Sequence, residues 1–188
     1  MKEDQRSRLS KKILKDTFLE LVKQKSFYDI NVKELCDRAG INRSTFYRHY
    51  DNTADILEEI FTDIAEIIRK TNANAGNDPD HAGDYIYSAI AFFDQHHEYD
   101  ALLLNGQIPS DFLWKRFGSS IIRSLEKTPV NENDRIALSR FLIGGTFAII
   151  SDWAKEGRKR SAKEIADLIY LLSIGSVEKL SRDHSSRQ

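Results

Sequence analysis

Within residues 40–50, GINRSTFYRHY, side chains that can form hydrogen bonds are concentrated in about two helical turns. Arginine can hold guanine O6 and N7 with two hydrogen bonds, hydroxyl side chains can reach bases or phosphates, and tyrosine and histidine can donate to phosphate oxygens. Phe46 and Tyr50 stand four residues apart, so both rings lie on one face of a helix. The stretch predicts a short helix that buries its rings and presents a polar face to a DNA duplex.

The preceding sequence predicts the element that positions this helix. Asn31 can cap a helix from Val32 to Ala39, and Gly40 ends that helix where a left-handed residue costs least. The next helix then runs from Arg43 to about Tyr50. Two short helices joined by a tight turn form a helix-turn-helix, in which the second helix enters the DNA major groove.

Burial of the two rings turns the other residues of the second helix outward: Arg43, Ser44, Thr45, Tyr47, Arg48 and His49. Lys33 stands at the start of the preceding helix, where the helix N-terminus also attracts an anion. A basic stretch near the start of the chain could follow a neighbouring phosphate strand. It contains Lys2, Arg6, Arg8, Lys11 and Lys12.

The charge distribution favours a polyanion partner for the first 50 residues only. The whole chain has a formal net charge of −1, but residues 1–50 hold 12 Lys and Arg against 7 Asp and Glu. The remaining residues hold 16 basic against 22 acidic side chains. A basic head on an acidic body is compatible with nucleic-acid binding by the head, although a merely solvated surface could show the same excess.

The rest of the chain predicts further helices, because apolar residues recur at spacings of three and four. The fold class is therefore all-α. A polar stretch at 71–84 is the clearest linker. Besides the helix-turn-helix, the expected helices are Ser7–Lys25, one from about Asn52 to Lys70, Tyr85–His97, Tyr99–Leu104, Ser110–Glu126, Asp134–Glu156 and Ser161–Leu180.

Catalytic and metal-binding patterns are missing from the sequence. The five histidines show no zinc-ligand spacing, Cys36 is the single cysteine, and no HExxH, GxSxG, P-loop or GxGxxG occurs. We therefore expect no enzyme activity, no cofactor and no metal. No secretory segment opens the chain and no run of 18 apolar residues appears, so we expect a cytoplasmic protein without a membrane partner.

The stretch VKELCDRAGINRSTFYRHYDNTADIL closely resembles the DNA-binding segment of TetR-type (TetR/AcrR family) transcriptional regulators. The matching residues are Val32, Leu35, Ala39, Gly40, Ile41, Thr45, Phe46, Tyr47, His49, Tyr50 and Leu57. A second stretch, FLIGGTFAIISDWAKEG at 141–157, looks like the family's penultimate helix. The resemblance implies a helix-turn-helix DNA-binding domain at 1–55 and a helical effector-binding and dimerisation domain at 56–188.

The resemblance also implies roles for individual residues. Thr45, Tyr47 and His49 occupy positions that commonly touch bases or phosphates, and Lys33 a position where some members place a base contact. The variable positions, which would set the operator sequence, are Arg43, Ser44 and Arg48. Where the family usually has a phosphate-binding lysine, this chain has Thr53, whose hydroxyl carries no charge. We therefore expect a slightly shallower salt dependence of DNA binding.

One recognition helix reads too few base pairs to find a single genomic site, and a symmetric dimer on a palindromic operator reads two half-sites. The last two long helices are the expected interface, although their apolar stripes could also pack within one subunit. The expected interface residues are Leu138, Leu142, Gly145, Ile149, Ile165, Leu168, Ile169 and Leu172.

The resemblance further implies a pocket for a small-molecule effector that releases a repressor from DNA. The candidate lining residues, each of which could equally be ordinary core, are Ile64, Ile68, Phe92, Phe93, Leu103, Trp114, Phe117, Phe141 and Phe147. Two alternatives stay open: the same DNA-binding scaffold controlled by a partner protein, or a regulator that activates transcription.

Overall fold

The fold is known from a computed structural model that describes residues 2–71, 82–103, 108–126 and 129–185. All regular elements in these ranges are helical, which confirms the all-α prediction. Most of the expected linker at 71–84 lies outside the described residues, as does Leu104. The α-helices are α1 (Lys2–Val22), α2 (Val32–Ala39), α3 (Arg43–Tyr47), α4 (Thr53–Thr71), α5 (Ala82–Gln95), α6 (Asp100–Leu103), α7 (Ser110–Ser124), α8 (Glu132–Lys155) and α9 (Ala162–Ser185).

The helices form two compact units. The first unit comprises Met1–Ile67 and Glu98–Ile108, and in it α1 packs on α2 and α6 while α2 packs on α3. The second unit comprises Ile68–His97 and Pro109–Gln188, and in it α5 packs on α9 while α8 packs on both α7 and α9. Each unit thus buries apolar side chains of its own.

The local signals for α2 act as predicted. The Asn31 side chain accepts a hydrogen bond from the Glu34 backbone N–H at 3.0 Å, which caps the first turn. Gly40 closes the helix at φ 64°, a left-handed conformation that most side chains disfavour. The Ile41 N–H then bonds the Cys36 carbonyl at 3.1 Å. These contacts fix the tight turn into α3.

Several helix ends differ from the sequence-based expectation. Regular helix α3 ends at Tyr47 rather than Tyr50, because the next turn tightens: the His49 N–H bonds the Phe46 carbonyl at 2.8 Å, an i to i+3 contact. Helix α1 begins at Lys2, five residues before the expected Ser7, and ends at Val22. The tightened turn after α3 directs the Tyr50 ring into the core, where it is buried.

Helix α8 is long and apolar enough to cross a membrane by length and composition alone. Core helices of soluble proteins meet the same criterion. Leu138, Ile143, Ile150 and Trp153 of α8 are buried inside the second unit, and 28% of the apolar window is buried in all. A single helix of this kind is weak evidence for a membrane span.

The turn between α8 and α9 is fastened to the end of α5 by Arg158. This residue has a left-handed backbone, φ 54°, which is costly for a residue with a Cβ. Its guanidinium lies over the Trp153 ring at 5.2 Å and donates to the Phe93 carbonyl at 3.2 Å. Its Nε lies 3.8 Å from the Asp94 carboxylate. A cation at the last turn of α5 also complements the helix dipole.

We predict that Arg158→Ala lowers the free energy of unfolding by about 1–3 kcal/mol, because the side chain is largely buried and bridges three groups. Arg158→Gly should cost about 1 kcal/mol less than the alanine variant, since glycine adopts the left-handed backbone freely. Urea titration measures both. The matched control is Lys159→Ala, an exposed neighbour that should change stability by under about 0.5 kcal/mol. Equal losses for the alanine and glycine variants would contradict the backbone argument.

Candidate nucleic-acid interface

Helix α3 separates a buried aromatic face from an exposed polar face. Phe46 is fully buried and Tyr50, just beyond the helix, is 4% exposed. Four of the six residues expected to face outward are exposed: Arg43, Ser44, Tyr47 and Arg48. The other two, Thr45 and His49, are half-buried. The exposed face therefore carries two guanidiniums, a phenol and a hydroxyl, all able to donate hydrogen bonds.

Aromatic contacts hold α3 in place. The Phe46 ring centre lies 5.7 Å from that of Tyr50 and 5.3 Å, edge to face, from that of Tyr47. Leu35 and Cys36 of α2 are buried in the same unit. A helix of five residues is too short to be stable alone, so this packing supplies its stability.

Tyr50 also connects α3 to charged side chains of α1 and α4. The Lys11 ammonium lies 5.4 Å from the centre of the Tyr50 ring and 2.9 Å from a Glu59 carboxylate oxygen. Lys15 lies 3.2 Å from the other Glu59 oxygen and also donates to Asp63. Burial alone would raise the pKa of Glu59. The hydrogen bonds from Lys11 and Lys15 outweigh the effect of burial and hold that pKa below its usual range. Glu59 is thus ionised at neutral pH.

This network changes the expectation for Lys11, which the sequence places in a basic stretch facing phosphate. In the structure its charge is shared between Glu59 and the Tyr50 ring. Lys12, the next residue, is exposed and lies 3.7 Å from Asp16. Glu59 itself was missed by sequence reasoning, because nothing in a helical stripe reveals a partner 48 residues away.

His49 lies at the edge of the same cluster, its ring centre 6.3 Å from that of Tyr50. Burial lowers the pKa of His49, and the positive charges of Lys11 and Arg48 lower it further, against a smaller opposite effect of Glu59. The imidazole is therefore neutral at pH 7. A neutral imidazole can still donate one hydrogen bond to a phosphate oxygen.

The start of α4 is filled by the chain's own polar groups. One Asp55 carboxylate oxygen accepts from the Asp51 N–H at 2.7 Å and the Asn52 N–H at 3.2 Å, and the Asn52 side-chain oxygen accepts from the Ala54 N–H at 2.8 Å. The Thr53 hydroxyl lies 3.4 Å from the Ile30 carbonyl. An acidic residue three places after an N-cap is a capping signal that sequence reasoning overlooked here. Asp55 and Asn52 thus cap these N–H groups, and the contact of Thr53 with a phosphate stays a prediction.

At α2, Lys33 is exposed on an open surface groove that it shares with Asn31, Glu34, Asp37 and Arg38. Glu34 is paired with Lys25, and Arg38 donates to Gln24 at 3.0 Å. Lys33 therefore remains accessible beside the exposed face of the helix-turn-helix.

The expected pocket residues fall in both units. Ile64 and Leu103 are buried in the first unit, and Ile68, Phe92 and Phe93 are buried in the second. The second unit also contains half-buried Trp114, Phe117 and Phe147. The Phe117 and Phe147 ring centres lie 5.9 Å apart. Phe141 differs from the rest: it is 61% exposed, which suits an intermolecular contact better than a pocket wall.

Some of the expected interface residues are buried within the chain and others are accessible. Leu138, Ile165 and Ile169 are buried within the chain, so a partner could not reach them without rearrangement. The other residues of the set are accessible: Leu142, Gly145, Ile149 and Leu168 are half-buried and Leu172 is exposed. Leu171, which is not among the expected interface residues, is 68% exposed.

The described residues contain no group of three His, Cys, Asp or Glu side chains placed to hold a metal ion. Burial raises the pKa of the Cys36 thiol, which keeps it protonated and unreactive at neutral pH. The chemistry present on the exposed face of α3 is therefore hydrogen bonding and charge.

Comparison with known proteins agrees with this geometry. Residues 16–60 match the bacterial regulatory proteins of the tetR family, and residues 80–175 match a transcriptional regulator C-terminal region. The crystal structure of a TetR transcriptional regulator from Streptococcus agalactiae 2603V has the same fold, with a TM-score of 0.64 at 21% identity, over 92% of this chain and 98% of that chain.

Two curated relatives are also similar. The uncharacterised HTH-type transcriptional regulator YxbF of Bacillus subtilis (strain 168) is 23% identical over 167 residues, covering 85% of this chain and 43% of YxbF. The HTH-type dhaKLM operon transcriptional activator DhaS of Lactococcus lactis subsp. lactis (strain IL1403) is 33% identical over 64 residues, 34% of each chain. The matched part is less than half of either relative.

The helix-turn-helix in the first unit and the two family matches lead to one conclusion: the chain belongs to the TetR family of bacterial transcription regulators.

Proposed function

We propose that this regulator binds a palindromic DNA operator as a homodimer, with one α3 in the major groove of each half-site. The observation that carries the proposal is the exposed polar face of α3, rigidly backed by buried Phe46 and Tyr50. Exposed side chains on a packed helix can enter a groove about 12 Å wide without unfolding anything.

Within the half-site, the exposed side chains divide by chemistry. Arg43 and Arg48 can each bond a guanine edge with two hydrogen bonds, and Ser44 can bond either a base or a phosphate. Tyr47 and His49 can donate to phosphate oxygens and fix the register, with Thr45 beside them. Lys33, accessible at the start of α2, would contribute charge to the same surface.

Dimerisation is proposed through the exposed apolar faces of α8 and α9. On α8 this face contains Phe141, Gly144, Gly145 and Ala148. A Cβ added at either glycine would meet no atom of the chain within 4 Å, so packing inside the protein does not require glycine there. Each glycine costs about 1 kcal/mol in a helix interior relative to alanine. Close approach of a second copy would offset that cost.

The face on α9 continues the same surface. Leu171 and Leu172 are 68% and 48% exposed, Leu168 is half-buried, and Gly175 also has open space around its missing Cβ. Adjacent exposed leucines on a folded soluble domain favour association, because water contact with apolar area is unfavourable. Since α8 packs on α9, the two faces can act together in a four-helix arrangement with a partner.

Control by a cytoplasmic small-molecule effector is proposed for the second unit, where Phe92, Phe93, Trp114, Phe117 and Phe147 supply an aromatic environment. Such a ligand must bind one conformation of the dimer better than the other, or it shifts nothing. The primary proposal is a repressor that the effector releases from DNA. Activation is the second candidate, because the relative DhaS is an activator of the dhaKLM operon. A protein partner in place of the effector is the third.

The experiment that tests the proposal is binding-site selection from random duplexes with the full-length protein. We expect an enriched palindrome, since a two-fold symmetric dimer reads the same sequence on both strands. Two half-sites should be spaced so that both major grooves face the protein. Enrichment of a single non-repeated site would refute the dimeric binding mode, and no enrichment at low salt would refute sequence-specific DNA binding.

We predict that Arg48→Ala weakens binding to the selected operator by about 1–3 kcal/mol per half-site and relaxes preference at one position of each half-site. The physical reason is loss of a two-hydrogen-bond contact to a base edge. Fluorescence anisotropy on the operator and on single-base variants measures both effects. Arg123→Ala, which removes an exposed arginine from α7, is the matched control and should bind as the wild type does. Unchanged base preference in Arg48→Ala would show that Arg48 does not read sequence.

We predict that Phe141→Glu disrupts the dimer, because it places a charge at an apolar contact in both copies. A loss of about 2 kcal/mol at each of two symmetry-related sites raises the dimer dissociation constant by about a thousandfold. Sedimentation velocity gives the mass, and circular dichroism checks that the helices remain. Tyr87→Glu, an exposed aromatic residue on α5 that is 47% exposed, is the control and should stay dimeric. A dimeric Phe141→Glu protein would place the interface elsewhere.

A further inference from the structure

Helix α3 is held in the first unit in two ways. It packs on α2, and its last turn continues into Tyr50, whose ring is buried against Phe46. The Tyr50 N–H also donates to the Phe46 carbonyl at 3.0 Å. Tyr47, Arg48 and His49 lie within three residues of Tyr50 in the chain. A displacement of this ring therefore moves side chains that are expected to touch the operator.

A cation of α1 lies against the Tyr50 ring. The Lys11 ammonium is 5.4 Å from the ring centre, within the range of a cation–π contact, and 2.9 Å from one Glu59 carboxylate oxygen. The other Glu59 oxygen accepts a hydrogen bond from Lys15 at 3.2 Å. The Lys11 and Glu59 side chains are 35% and 26% exposed, so water screens the pair only in part. Glu59 of α4 thus holds two lysines of α1, and one of them contacts the ring that follows α3.

We propose that Glu59 is a positioning residue for operator recognition, because it holds Lys11 against Tyr50 and so fixes the end of α3. The proposal rests on the proposed DNA-binding function. It assigns to an acidic residue a favourable effect on binding a polyanion, without any contact of that residue with DNA. It also assigns to Lys11 a contact within the protein in place of the phosphate contact expected from the sequence.

The phosphate role and the positioning role of Lys11 predict opposite effects when Glu59 loses its charge. If Lys11 bound a phosphate, Glu59→Gln would release it from a competing carboxylate and remove a negative charge, so affinity for every duplex would rise. If Lys11 positions Tyr50, the same change loosens the end of α3, and affinity for the operator falls. Affinity for unrelated duplexes does not fall with it, since that affinity depends on attraction to phosphates.

The first experiment measures binding of Glu59→Gln to the selected operator and to an unrelated duplex by fluorescence anisotropy. Operator affinity should fall by roughly three- to thirtyfold per half-site, the range for loss of a partly shielded cation–π contact. Affinity for the unrelated duplex should rise or stay as in the wild type. Unchanged or higher operator affinity would overturn the proposal. An equal fall on both duplexes would overturn it too, because that is the effect of a general loss of folded protein.

The chain offers a matched control for the change of charge. Glu58 precedes Glu59 on α4, so its side chain leaves the helix about 100° away from that of Glu59. Glu58→Gln removes the same charge but not the acceptor of Lys11, and it should not lower operator affinity. A loss equal to that in Glu59→Gln would assign the effect to net charge and overturn the proposal.

Variants of Lys11 test the other side of the contact. Lys11→Met removes the charge from a side chain of similar length and should lose operator affinity as Glu59→Gln does. Lys11→Arg keeps a cation within reach of both partners and should retain most of the affinity. An arginine variant as weak as the methionine variant would show that packing around Lys11, rather than its charge, matters, and would overturn the proposal.

Salt dependence separates the two roles of Lys11 a second time. A lysine that binds a phosphate contributes about one unit per half-site to the slope of log affinity against log salt concentration. Lys11→Met should keep the wild-type slope on the operator, because the lost contact lies within the protein. A slope smaller by about one unit per half-site would place Lys11 on a phosphate and contradict the positioning role.

Hydrogen exchange in the protein without DNA tests the positioning independently of the proposed function. The His49 and Tyr50 N–H groups both donate to the Phe46 carbonyl, at 2.8 Å and 3.0 Å. In Glu59→Gln both should exchange faster, by roughly three- to thirtyfold. The Ile41 N–H, in the turn before α3, should keep its wild-type rate. Unchanged exchange at His49 and Tyr50, or the same acceleration at Ile41, would overturn the proposal.

A thermal melt checks that each variant is folded. Lys15 keeps its Asp63 partner in Glu59→Gln, so α1 retains a charged link to α4. Lys11→Met supplies the same comparison of exchange rates in a protein whose Lys15–Glu59 pair is intact. If the wild type binds no duplex, the proposed function is refuted, while the exchange rates still decide whether Glu59 and Lys11 hold the end of α3.

Discussion

The structure depends on the burial of one aromatic face by a helix too short to exist alone. Helix α3 has five residues, and an isolated helix of that length is unstable in water. Phe46 and Tyr50 anchor it to the first unit, and their ring contact at 5.7 Å holds the tightened turn that follows the helix. Every polar group that α3 presents is positioned by this anchor. Side chains that are already ordered lose less entropy on binding a groove than those on a mobile loop.

Sequence patterns located the helices well where the information is local. The bounds of α2, its Asn31 cap and its Gly40 ending follow from contacts within five residues, and all were predicted. Burial of the Phe46 ring and of the Tyr50 ring just beyond α3 was predicted from their spacing. The length of α3 was overestimated, because periodicity does not reveal that a last turn has tightened to an i to i+3 hydrogen bond.

Long-range pairing was not predictable. A lysine in a basic stretch has the same sequence signature whether it faces a phosphate or a carboxylate. The Lys11–Glu59 pair could therefore not be predicted from the sequence. In the second unit an apolar stripe marks both core and interface. Leu138 and Ile165 were grouped with Leu172 for this reason, although the first two are buried in the chain and Leu172 is 48% exposed. Periodicity identifies which residues avoid water, and only the packed structure shows which of them other residues of the same chain cover.

Ion pairs within the first unit bear on how specifically the protein would bind DNA. The basic excess of residues 1–50 suggests strong electrostatic attraction to any DNA, but Glu59 and Asp63, which lie beyond that segment, neutralise Lys11 and Lys15. Just before α4, the Asp51 and Asn52 N–H groups donate to the Asp55 carboxylate. Attraction to phosphate is independent of sequence, whereas contacts with base edges are not. Under the proposed binding mode, internal neutralisation of cations in the first unit would weaken the sequence-independent part of DNA binding more than the part that depends on contacts with base edges.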